Sequence, residues 1–154
     1  MRRAVLCLAV ILADGPAVAA EGWTAQMQQD EGGPVLVAAV SGDGDAKTLP
    51  SLQMMCDGKK GVMLRYDMAS DDGQPGDEAD FLFENESTKG DLHMAYEAGD
   101  GAFAGYFRKT DPIVTLLHTG PEVTVSDVEG NYPAQTFTLA GSGKAIDAVL
   151  KGCK

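Results

Sequence analysis

Apolar and polar residues alternate in short runs along most of this chain, and Gly, Asp and Pro clusters separate the runs. A period of two is the mark of strands that bury one face. It predicts strands over residues 23–28, 34–40, 49–56, 62–68, 80–84, 92–97, 102–108, 122–128 and 135–139. In 62–68, Val62, Leu64 and Tyr66 fall on one face, with Met63 and Arg65 on the other. The five residues 57–61 read as a hairpin connection. Residues 69–79 (ASDDGQPGDEA) are rich in Gly, Pro and Asp and predict an exposed loop.

Two stretches break the alternation. Asp111 is a suitable N-cap, Pro112 fits a first helical position, and residues 113–118 predict a short helix ending at Gly120. After Ser142, expected as a second cap, Ala145, Ile146, Val149, Leu150 and Cys153 form an apolar stripe at helical period, with Lys144, Asp147 and Lys151 facing out. The fold class expected is mainly β with minor α. The architecture is an antiparallel β-sandwich or curved sheet with a short helix and a C-terminal helix.

The first twenty residues follow a different rule. Arg2 and Arg3 precede ten apolar residues, Asp14-Gly15-Pro16 interrupts them, and Ala17-Val18-Ala19 offers small residues at alternate positions. That order is an export signal, with cleavage expected after Ala19 or Ala20. Residues 21–154 then form a single exported domain, in the periplasm or secreted. Cys7 leaves with the signal, so Cys56 and Cys153 remain. In an oxidising compartment they are expected to pair. A redox site would favour Cys-x-x-Cys, and zinc needs more ligands than two distant cysteines supply.

Charge narrows the partners. The chain has 154 residues and a net charge of −11, and losing Arg2, Arg3 and Asp14 takes it to −12. Such a surface does not neutralise nucleic-acid phosphates or dock on anionic lipid. No apolar run reaches the ~18 residues that a spanning helix needs. The expected partner is a basic protein, met through the acidic segment Asp71, Asp72, Asp77, Glu78 and Asp80. Neither that segment nor Asp43 and Asp45 matches a calcium loop, which alternates carboxylates around a Gly and closes on Glu.

Candidate catalytic chemistry is sparse. His93 and His118 lie in no metal-ligand spacing, and there is no Gly-x-Ser-x-Gly elbow. Gly141-Ser142-Gly143-Lys144 lacks the rest of a phosphate loop. Met27, Met54, Met55, Met63, Met68 and Met94 read as core filling rather than copper ligands. Asn85-Glu86-Ser87 is a lone glycosylation sequon. No catalytic residue, metal or cofactor is assigned.

The chain end, Phe137-Thr138-Leu139-Ala140-Gly141-Ser142-Gly143-Lys144-Ala145-Ile146 followed by Val149 and Cys153, resembles the VasI/TagO-like group of small secreted proteins associated with type VI secretion. The spacing Leu52-x-x-x-Cys56, the following strand with Arg65 and Asp67, and the early Trp23 strand are similar too. The group's aromatic-rich middle has no counterpart, since Trp23 is the sole Trp. The resemblance implies a non-catalytic envelope accessory protein with one disulfide. The expected function is therefore a non-enzymatic binding or accessory protein of the bacterial envelope. The alternatives are an inhibitor of a cationic cell-wall hydrolase such as lysozyme, and a small hydrolase using a His and a carboxylate.

Overall fold

The structure, a computed structural model, describes residues 22–30, 32–42, 49–58, 61–68 and 73–153. Residues 1–20, expected to be an export signal, and the acidic residues Asp43, Asp45, Asp71 and Asp72 lie outside the described residues. The strands are β1 (Thr24–Asp30), β2 (Gly33–Ser41), β3 (Ser51–Asp57), β4 (Gly61–Asp67), β5 (Glu78–Glu84), β6 (Lys89–Glu97), β7 (Ala102–Phe107), β8 (Glu122–Asp127) and β9 (Gln135–Thr138). Helix α1 (Pro112–His118) precedes β8, and α2 (Ser142–Gly152) follows β9. Among the described residues, every strand joins one nine-stranded sheet in the order β1-β2-β3-β4-β7-β6-β5-β8-β9. All neighbours are antiparallel. Of the two architectures expected, the curved sheet is the one formed.

Alternation decides what each strand buries. Ala38, Leu52, Leu64, Phe103, Met94, Phe81, Val125 and Phe137 share the inner face and are all almost fully buried. Both helices pack on this face, α2 against β1, β2 and β3, and α1 against β5, β6 and α2. Ala145, Ile146, Val149 and Cys153 form the buried stripe of α2, as their spacing predicts. An edge-to-face aromatic group fills the inner face beyond the helices: Tyr66 meets Phe81 and Phe137, and Phe103 meets Phe81, Tyr96 and Tyr132. The Tyr66 hydroxyl is buried without a hydrogen-bond partner among the described residues. Burial, reinforced by Asp67, raises its pKa. A smaller apolar cluster, Val37, Met55, Met63 and Ala104, lies on the outer face.

The two ends of the sheet meet. The Trp23 backbone N–H donates to Ala140 O at 2.8 Å, and its indole Nε1 donates to Thr138 O at 3.0 Å. The chains cross so closely that a Cβ on Gly22 would sit 2.7 Å from Ala140 O, and one on Gly141 2.9 Å from Trp23 O. This crossing changes the expected start of α2. Gly141, at φ 78, is the N-cap, while Ser142 is the first helical residue and is buried. No side chain fits at the cap position, so the backbone turn of a glycine replaces the hydroxyl cap. Helix α1 starts as its sequence predicts, with Asp111 accepting from Ile113 N at 3.1 Å.

Cys56 and Cys153 form the expected disulfide, with Cα atoms 5.3 Å apart. It ties the end of α2 to β3 across a sequence separation of 97. Closing so long a loop restricts the unfolded chain by about 4–5 kcal/mol in the entropy model. The double variant Cys56→Ala/Cys153→Ala should lose about 2–5 kcal/mol in reversible urea unfolding, and a loss under 1 kcal/mol would show that the bond contributes little. Gly141→Ala should cost about 2–3 kcal/mol in the same assay, from left-handed strain plus the clash with Trp23 O. Unchanged stability there would mean that the crossing opens without cost.

Candidate functional site: an acidic outer face

The site is built by strand alternation on the face away from the core. Phe81 and Phe83 point inward from β5, so Glu78, Asp80 and Glu84 point outward. Register places His93 of β6 opposite Asp80, and Lys89 opposite Glu84. Asp91 and Glu97 share the outer face of β6. Glu122 extends it on β8, because β8 pairs with β5. The result is a convex face of carboxylates crossing three strands, interrupted by Lys89 and His93.

His93 is held by this field. Its Nδ1 lies 2.8 Å from Asp80 Oδ1, and its Nε2 3.5 Å from Glu78 Oε2. The hydrogen bond to Asp80 is the main cause that raises the His93 pKa, opposed by desolvation and helped by the charges of Asp80 and Glu78. With a carboxylate near each ring nitrogen, the imidazolium is favoured. The second histidine is elsewhere: His118 Nε2 faces Asp147 Oδ1 at 3.8 Å, between α1 and α2.

The acidic face has a defined border. Arg65, outward on β4, reaches Asp100 at 2.8 Å and Glu97 at 3.5 Å. Tyr106 O–H donates to Glu97 at 3.0 Å. This network separates the carboxylates from the apolar cluster of Val37, Met55, Met63 and Ala104. At the far end, Glu84, Asn85, Glu86, Glu122 and Thr124 line an open depression of about 270 Å³. Asn85 is structurally committed there. Its amide nitrogen donates to Leu116 O and Thr119 O at 3.0 and 2.8 Å, and its oxygen accepts from Ser87 N and Thr88 N. The sequon asparagine therefore ties the β5–β6 turn to the end of α1.

The acidic segment expected from sequence divides in the structure. Glu78 and Asp80 belong to β5, which begins two residues earlier than the alternation predicts, and stand exposed on the outer face. Asp77 is half-buried and holds the preceding turn, accepting from Gln74 N at 2.8 Å and Tyr132 O–H at 3.1 Å. Glu84, Asp91, Glu97 and Glu122 join the face although sequence reasoning did not group them. The signal for Asp91 was the alternation around His93; nothing local pairs β8 with β5. Among the described residues, no three His, Cys, Asp or Glu side chains are placed to hold a metal ion. None of their helices is long and apolar enough to cross a membrane. No protein-family model, curated protein or solved structure matches the chain.

Because the folded pKa of His93 is raised above its ordinary value of 6.5, the Asp80–His93 attraction is complete below about pH 6.5 and is lost as pH rises through the folded value. NMR titration of the imidazole should show a midpoint above 6.5 that falls towards it in Asp80→Asn. A midpoint insensitive to that change would remove Asp80 as the cause.

Proposed function

We propose that this chain is a non-enzymatic binding or accessory protein of the bacterial envelope, exported to the periplasm or beyond, which engages a basic protein through its acidic outer face. The observation that carries the reading is the display of Glu78, Asp80, Glu84, Asp91 and Glu122 on one exposed face of β5, β6 and β8. Carboxylates placed side by side repel one another, and a cationic partner relieves that repulsion as it binds. The order of residues 1–20 supports export, the disulfide suits an oxidising compartment, and the likeness of the chain end to the VasI/TagO-like group supports an accessory role.

Inhibition of a cationic cell-wall hydrolase is the specific form of this reading favoured by the depression among Glu84, Glu86 and Glu122, an anionic recess for a basic side chain. Hen lysozyme serves as the cationic probe. The mature protein should bind it with an affinity that falls as salt rises, and Glu78→Gln/Asp80→Asn/Asp91→Asn should weaken binding about tenfold at low ionic strength and flatten the salt slope. Equal binding by the two proteins would overturn the role of this face. Binding without loss of hydrolysis would keep the face and dismiss the inhibitor.

A further inference from the structure

The first strand of the sheet has a free side. β1 pairs with β2 from Thr24↔Ala39 to Asp30↔Gly33, and no strand follows it in the sheet order. Among the described residues, the only backbone hydrogen bond near its other side is made by Trp23, before the strand begins. The two-residue connection after Asp30 makes Asp30–Gly33 a hydrogen-bonded pair. By alternation, Gln28, Gln26 and Thr24 turn their backbone groups to β2, whereas Ala25, Met27 and Gln29 turn theirs outward.

Edges of this kind are normally blunted by charge, Pro or a bulge, because unpaired N–H and C=O groups recruit another strand. Residues Thr24 to Gln29 (TAQMQQ) contain neither charge nor Pro, in a chain where nearly one residue in four is charged. Met27, 61% exposed, is one of two exposed large apolar side chains among the described residues. An acidic chain repels its own copies wherever its carboxylates face one another. Between Thr24 and Gln29 this edge carries no charge, so two copies meet here with fewer facing carboxylates than on β5, β6 and β8.

We propose that β1 pairs with β1 of a second copy of this chain, antiparallel about a two-fold axis through Met27, joining two sheets into one. The pairing sets Met27 against Met27 and satisfies the outward groups of Ala25, Met27 and Gln29 in both copies. The two Asp30 carboxylates fall six residues apart, about 20 Å, well beyond the screening length at physiological salt. From Thr24 to Gln29 a basic partner has no charge to recognise, and an isologous pairing needs only self-complementarity. The acidic face on β5, β6 and β8 stays open in the dimer, so the inference stands independently of the proposed function. A strand edge with one apolar pair buries little area, so the dimer is weak and depends on concentration.

Sedimentation equilibrium of the mature protein from about 10 μM to 1 mM, with amide exchange read by NMR, tests this. The expected result is a monomer–dimer equilibrium in which exchange at Ala25, Met27 and Gln29 slows as concentration rises. Met27→Lys places like charges on the axis, and Met27→Pro removes an outward donor without touching the ladder to β2. Each should weaken association at least tenfold, while Met27→Leu retains it. A monomer at 1 mM, a dimer unaffected by Met27→Lys, or protection confined to other strands would overturn the proposal. So would a monomer that gains the same protection only on adding an unrelated extended peptide.

Discussion

The crossing of Gly22-Trp23 over Ala140-Gly141 is the constraint on which the rest of this fold depends. Nine strands in one layer present a wide apolar face, and two short helices are too small to cover it flat. The sheet instead uses its twist to curl until Trp23, just before β1, reaches the end of β9. Two hydrogen bonds from Trp23 hold the ends together, and Gly22 and Gly141 let the backbones approach. The same crossing directs α2, because Gly141 is both the contact with Trp23 and the N-cap of the helix. The disulfide then fixes the other end of α2 to β3. Helix α2 is thereby held at both ends over β1, β2 and β3.

Curvature also organises charge. On a convex face, side chains diverge, so carboxylates on adjacent strands keep their hydration and repel one another less than on a flat sheet. Glu78 and Asp80 share His93 as a counter-ion, whereas Asp91 and Glu122 stand exposed to solvent or a partner. Where the outer face becomes apolar, around Met55 and Met63, Arg65 stands at the boundary and pairs with Glu97 and Asp100. The histidine among the carboxylates behaves as part of the same electrostatic surface. Its ring nitrogens face Asp80 and Glu78, which favour the imidazolium.

The sheet is also asymmetric in its edges. β9 is short and its end is engaged at the crossing, whereas β1 is longer and its outward backbone groups are unpaired among the described residues. The acidic strands β5, β6 and β8 lie several strands away from β1 in the sheet order. One molecule thus presents two surfaces of different chemistry, one reading charge and the other offering backbone.

Local patterns determined much of this protein. Alternation specified which side chains of β4 face the core, the 3.6-residue stripe specified the buried side of α2, and two cysteines beyond the first twenty residues left one pairing. Asp111 and Pro112 marked the start of α1 because a cap and a missing N–H act within one turn. What the sequence left open was long-range. One curled sheet and a two-sheet sandwich have the same alternation, and only the unbroken pairing of all nine strands separates them. The glycine cap at Gly141 is likewise decided by a backbone more than a hundred residues away. The candidate site follows the same division: Glu78, Asp80, Asp91 and His93 lie on a predictable face of their own strands. Their union with Glu122 required β8 to join β5, a choice made by packing the whole inner face, which no local run of residues encodes.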